Sequence, residues 1–251
     1  MDEGMKSASV FDGNVAVGDT VKQPSPLRDR VQLLAEMDRH GVERAIIYHA
    51  NSHQSLLEST LIDVELEEWR NDRLIPQWTG WPTRISIERL RERHRSGDLT
   101  SVRVCAGDRV LSPFQPWLYG ELLSWLSEID VPVVVELTEI APDVIVRTLQ
   151  EFPRLRSILI GAHPTDSMFV PAMLRAVQGM HLELSRYEPL GGVEMLCGEF
   201  GASRLLYGSW YPRYAMGPML HYLRAIDLSD ADRRALLSGT LESLLGVVDG
   251  H

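Results

Sequence analysis

Short apolar runs alternate with amphipathic stretches along nearly the whole chain, and this alternation limits the possible folds more than any other feature. The strand-like runs fall at 10–17, 44–49, 74–79, 101–106, 131–137, 157–162, 180–185 and 204–208. Helical patterns lie between them at 27–40, 55–70, 84–97, 116–129, 141–152, 167–178, 190–200 and 213–225. The clearest carries Val31, Leu34, Ala35 and Met37 at helical spacing and stops at Gly41. A last helix is predicted to start at Ser229-Asp230, where Asp232 completes a capping signal. Eight strand–helix units in 251 residues predict an α/β protein, a (β/α)8 TIM barrel forming a single domain over 1–251. A doubly wound open sheet is the alternative, but no GxGxxG follows the first strand.

Composition narrows the partners. Lys and Arg total 25 against 35 Asp and Glu, a net charge of −10. That surplus argues against nucleic acid and anionic membrane, which both select a basic footprint. The basic stretch Arg84–Arg95 reads as an exposed helix face with Glu88 and Glu92 as its counter-row. No apolar run approaches the roughly 18 residues of a membrane span, and MDEGMKSASVF lacks an apolar signal region, so a cytoplasmic protein is expected. Cys105 and Cys197 lack any metal-binding spacing and read as reduced thiols. The expected partner is a small-molecule substrate or ligand; a homodimer is compatible with the sequence, but no feature selects an interface.

The period of two along a strand separates pore-facing from helix-facing residues. Val102 and Val104 should meet the helices, which turns Arg103 and Cys105 inward. The same rule sends His181, Glu183 and Ser185 inward. It groups Asp12, Asn14 and Ala16; Ala45, Ile47 and His49; Val134 and Glu136; and Leu159, Gly161 and His163. The interior is therefore expected to hold Asp12, Asn14, His49, Arg103, Glu136, His163 and Glu183. Barrels usually fill this space with branched aliphatics, and buried charges are costly unless paired. Asn14, His49, Glu136 and His163 fall at strand C-terminal ends, the rim where barrel active sites lie. Taken singly, these residues are explained as well by structure: Arg103 with Glu183 or Glu136 as a buried ion pair, Asp12 as a loop ligand.

Three segments then resemble the amidohydrolase-related family of metal-dependent hydrolases and decarboxylases. LeuLeuAlaGluMetAspArgHisGlyValGluArgAlaIleIle (33–47) resembles the family's first helix and second strand. GlyGluPheGlyAlaSerArgLeuLeuTyrGlySerTrpTyrPro (198–212) resembles its eighth strand, and LeuSerGlyThrLeuGluSerLeuLeuGly (237–246) its closing helix. The resemblance implies a TIM barrel with a divalent metal at its mouth. It also implies where the ligands should be. The His-x-His of the first strand reads Asn14-Val15-Ala16, the strand-5 histidine is Glu136, the strand-6 histidine is kept as His163, and the strand-8 aspartate is Trp210. Two or three N, S or O donors are missing from such a site, so the inherited metal site is predicted lost and no cofactor is expected. A rebuilt site from His49, Glu136 and His163, with His53 in reserve, is the alternative. TyrHisAla (48–50) and TrpLeuTyrGlyGluLeuLeu (117–123) resemble a ligand-poor branch of the family.

Two functions stay open. The first is a metal-independent hydrolase of a small ester, lactone or amide, with decarboxylation as a variant. It assigns His163 as general acid/base, Glu136 as its partner, Arg103 as the group binding a carboxylate or oxyanion, and His49 as a second donor. Asn14, Trp78, Trp81, Trp210 and Tyr48 would line the substrate. No GxSxG supports a serine nucleophile. The second is a non-catalytic binding protein on the same scaffold, with Trp210 as a core plug.

Overall fold

Parallel strands flanked by helices are buried on both faces and read as continuous apolar runs, and the predicted runs form such strands. The computed structural model describes residues 9–19, 25–27, 29–52, 59–107 and 112–246, so His53 lies outside the described residues. The strands are β1 (Phe11–Val17), β2 (Arg44–His49), β3 (Leu74–Pro76), β4 (Trp78–Gly80), β5 (Val102–Val104), β6 (Val133–Glu136), β7 (Ser157–Ile160), β8 (Met180–Glu183) and β9 (Leu205–Leu206). β1 pairs with β2 and β2 with β3; a second run pairs β4 through β9 in chain order, and every pairing is parallel. β3 and β4 are one barrel position interrupted at Gln77, whose N–H donates to Ile47 O at 2.8 Å. First and last positions also meet: the Gly13 N–H donates to Tyr207 O at 3.0 Å and the Ala16 N–H to Tyr211 O at 2.7 Å. The architecture is a TIM barrel, as expected.

The helices are α1 (Arg30–His40), α2 (Ser59–Trp69), α3 (Arg84–Arg95), α4 (Pro116–Glu128), α5 (Pro142–Gln150), α6 (Val170–Ala176), α7 (Gly192–Phe200), α8 (Gly217–Ala225), α9 (Asp230–Arg234) and α10 (Thr240–Leu245). Local chemistry sets their ends. Gly41 closes α1 in the left-handed conformation at φ 71°, which glycine adopts without steric cost. The Ser229 hydroxyl accepts from the Asp232 N–H at 3.0 Å and starts α9, as the capping signal predicted. Two helices differ from expectation. The pattern at 167–178 splits into a 3-10 turn (Pro164–Met168) and α6, and α8 starts only at Gly217; a proline opens each of these pieces.

Two apolar layers hold the barrel. The larger, between strands and helices, includes Val15, Ala45, Ile47, Val102, Val104, Val133, Leu159 and Leu182. The smaller lies inside, where Phe11, Ile46, Val134, Ile158 and Leu206 pack against Leu241 and Leu244 of α10. This is the barrel floor. Arg44, at the start of β2, stacks over Phe11 and pairs with Glu242 of α10, fastening the floor helix to the strands.

Candidate functional site

Above the floor the inward positions change from aliphatic to polar. β5 turns Val102 and Val104 to the helices and Arg103 to the interior, as its alternation predicted. β8 likewise turns Met180 and Leu182 outward and Glu183 inward, and β6 places Glu136 inward one step above Val134.

Two placements are corrected. On β2, Ala45 and Ile47 face the helices while Ile46 and Tyr48 face inward, so His49 points into the helix layer. Its Nδ1 accepts from the Asn51 N–H at 3.1 Å, which leaves Nε2–H to donate to Glu65 Oε2 of α2 at 2.8 Å. On β7, Leu159 faces the helices and Ile158 and Ile160 face the pore, so the set containing His163 is not the inward one. His163 is exposed and caps the 3-10 turn, accepting the Thr165 N–H through Nδ1 at 3.3 Å. His49, Glu136 and His163 therefore do not converge. Trp78 also belongs to the helix layer: its Nε1–H donates to Asp98 O at 2.8 Å and Arg93 stacks 3.7 Å from its ring. Trp81, just past β4, is buried with an indole N–H that has no hydrogen-bond partner.

The residues that do converge form one network around Arg103, which is 1% exposed. Its Nη2 donates to Asn14 Oδ1 and its Nε to Gln77 Oε1, each at 2.8 Å. Nη1 lies 3.6 Å from Glu136 Oε2, too far for a hydrogen bond, and is otherwise without an acceptor. The guanidinium carbon sits 3.5 Å from the centroid of the Tyr48 ring. Asn14 relays the contact onward, its Nδ2 donating to Glu183 Oε2 at 3.2 Å. The Thr138 hydroxyl donates to Glu136 Oε1 at 2.5 Å. Gln77 and Thr138 were not singled out from sequence; Ser185 was expected to face inward, and its hydrogen bonds to Glu183 place it there.

Beneath Arg103 two acids share the interior. Glu183 accepts the Ser185 N–H at 2.7 Å and the Ser185 hydroxyl at 3.0 Å. Asp12 Oδ1 accepts the Asn14 and Ser209 N–H groups at 3.0 and 2.9 Å, while Oδ2 has no partner. Burial pushes the Glu183 carboxyl up to about 7, with the Asp12 charge adding to the shift and the Ser185 and Asn14 bonds opposing it. Burial likewise pushes Asp12 up to about 6, against its hydrogen bonds to Ser209 and Asn14. Gly208 is required here, since a Cβ on it would lie 2.1 Å from Glu183 Oε1.

Trp210 covers the network. Its Nε1–H donates to the Tyr48 hydroxyl at 2.9 Å, and its ring edge lies 3.2 Å from where a side chain on Gly161 would begin. The indole is 4% exposed and packs with Tyr48 and Ala16. Its backbone is left-handed at φ 55°, an uncommon conformation for a bulky residue.

Of the five ligand positions that the resemblance implied, Ala16 offers no donor, Trp210 an indole, and His163 faces solvent. The Asn14 oxygen is already taken by a guanidinium that also lies beside Glu136. A divalent cation between Asn14 and Glu136 would meet a fixed positive charge at the same place. Among the described residues no group of three or more His, Cys, Asp or Glu could hold a metal ion. This donor set does not fit one.

No protein-family model matches the chain, and no curated protein matches it in sequence. Solved structures do. The 2,6-dihydroxybenzoate decarboxylase from Rhizobium superposes with a TM-score of 0.77 at 17% identity, covering 97% of this chain and 100% of that one. An amidohydrolase II gives 0.73 at 15% identity, over 95% and 100% of the two chains. A dihydroxybenzoic acid decarboxylase from Polaromonas sp. JS666, solved with bound manganese and 2-nitroresorcinol, gives 0.74 at 16% identity over 96% and 98%. These likenesses establish the TIM-barrel fold. That last neighbour carries manganese; this chain places Arg103 and Trp210 at its own barrel mouth.

Proposed function

We propose that this chain, one domain over 1–251, is a metal-independent enzyme that hydrolyses a small ester, lactone or amide at the barrel mouth. The observation that carries this reading is the pairing of Arg103 and Glu136. A buried guanidinium N–H without an acceptor lies 3.6 Å from a carboxylate at the C-terminal end of β6. Fixed charge aimed where negative charge develops is the largest single contribution in many acyl transfers.

In the reaction, the Glu136 carboxylate takes a proton from water as the water oxygen bonds to the substrate carbonyl carbon. The carbonyl electron pair moves onto oxygen, where the Arg103 Nη1–H stabilises it. Collapse reforms the carbonyl and breaks the bond to the leaving group, which receives the proton held by Glu136. Asn14 and Gln77 hold the guanidinium at two of its nitrogens, and Tyr48 and Trp210 exclude bulk water. His163, at the exposed rim, contacts substrate in this reading rather than Glu136. His49 has no role in it.

The test joins metal analysis to a substrate screen. Protein purified without chelator should contain well under one equivalent of zinc, manganese or iron. A screen of small esters, lactones and amides should find turnover that Glu136→Gln lowers by about a hundred- to ten-thousand-fold. Stoichiometric metal, or turnover unchanged in Glu136→Gln, overturns the reading. Decarboxylation is the second reading, favoured by the decarboxylases among the structural neighbours; release of CO2 from an aromatic acid identifies it. Tight ligand binding with no turnover in either assay indicates a binding protein instead. Both cysteines are free thiols, and no helix among the described residues is long and apolar enough to cross a membrane. These facts support a cytoplasmic setting.

A further inference from the structure

Two arginines at the mouth lie outside the network described above. Arg186 follows β8, and its guanidinium carbon lies 4.3 Å from the Tyr214 ring centroid. Arg213 follows β9, 4.5 Å from the Trp210 ring and 5.7 Å from the same Tyr214 ring. Trp210 and Tyr214 meet edge to face at 5.9 Å, so the two cations share one aromatic pair. Arg213 stacks on the Trp210 indole that bonds the Tyr48 hydroxyl, which places it over the mouth. Neither guanidinium makes a hydrogen bond or ion pair to any described residue, although the chain carries ten more acids than bases. Their in-plane N–H donors therefore remain available to an oxyanion. Loops at the same end of the barrel carry Met168, after β7, and Leu190, after β8. At 86% and 103% exposure these are the most exposed large apolar side chains among the described residues. Both cations and both apolar side chains thus stand on segments that follow barrel strands.

We propose that Arg186 and Arg213 form a subsite for the oxyanion head, carboxylate or phosphate, of an amphiphilic small molecule whose apolar body rests on the Met168 and Leu190 loops. The inference rests on the reading that the mouth takes a small molecule, and it adds the class. The ligand carries a charged group remote from the bond that Glu136 and Arg103 address. Stacking on Tyr214 and Trp210 keeps both guanidinium planes preorganised for an anion.

Isothermal titration of the full chain with octanoate, octyl phosphate and octylammonium tests the subsite. The expected result is binding of the anions and none of octylammonium, with affinity falling as salt is raised. Arg186→Gln and Arg213→Gln should each weaken anion binding by about ten-fold, the worth of one charge-assisted hydrogen bond. The tighter of octanoate and octyl phosphate identifies the head group. Equal binding of octylammonium, affinity unchanged in both arginine variants, or no anion binding up to millimolar concentration overturns the proposal. Titration reads binding and not turnover, so its outcome does not depend on whether any ester is hydrolysed. Failure of the catalytic reading would then leave the arginine result standing, and the ester screen would survive failure of this one.

Discussion

The two ends of the barrel interior share strands β1, β2 and β6, yet they are held by opposite means. At the floor, Phe11, Ile46, Val134 and Ile158 pack against Leu241 and Leu244, and stability there comes from apolar area removed from water. One step up, Asn14, Tyr48, Arg103 and Glu136 stand on β1, β2, β5 and β6, and stability depends on each charge keeping its partners. The floor tolerates any change that preserves volume. The upper layer tolerates few changes at all, since removing one partner leaves another charge buried and alone. A chain under selection only for folding gains nothing from the second arrangement, which is why the upper layer is the candidate site.

That contrast can be broken by mutation. Arg103→Ala should have the largest effect, about 3–5 kcal/mol of lost stability in urea unfolding, because the carboxylates around it lose their cation. A loss below about 1 kcal/mol would mean that the network contributes little. Leu241→Ala should cost about 2–4 kcal/mol through the cavity it leaves, and the cost should be the same at pH 5 and pH 8, since no titratable group is involved. Next comes Glu183→Gln. Glu183 and Asp12 titrate near 7 and 6 in the folded chain, above their ordinary values of 4.5 and 3.8. Between those limits the folded state holds protons that the unfolded state has released, so stability falls as pH rises from about 4 to 7. Melting curves should show the wild type more stable at pH 5 than at pH 8, and Glu183→Gln with a smaller difference. A wild-type profile that rises over this range would refute the assignment. His163→Ala should be the smallest change, about 1 kcal/mol or less from a lost cap. A loss several times larger, measured in the same urea series, would show that this histidine does more than cap its turn.

The sequence revealed the two regions unequally. Alternation was readable in 101–106 and 180–185 because a charged residue interrupts the aliphatics, and Arg103 and Glu183 were placed correctly. It was not readable in 44–49, where Ala45, Ile46, Ile47 and Tyr48 are all compatible with either side of a sheet buried on both faces. His49 was consequently assigned to the pore, whereas its partner is Glu65 of α2, a tertiary contact that no local pattern encodes. His163 was misplaced for a different reason. Gly161 takes a left-handed φ of 80°, so the count of two per step stops before position 163 is reached. Trp78 illustrates a third limit: an aromatic near a strand end suggests a ligand wall, but its neighbours Arg93 and Asp98 show that it belongs to the outer layer.

The backbone at Trp210 has a consequence for how the interior is kept shut. A left-handed φ of 55° costs a tryptophan on the order of 1–2 kcal/mol that a glycine would not lose. The residue that seals the polar layer is therefore held against its own local preference by the Tyr48 hydroxyl and the Arg213 stack. Most lids resist opening. This one is sprung, and whatever loosens those two contacts releases a segment whose backbone already favours leaving.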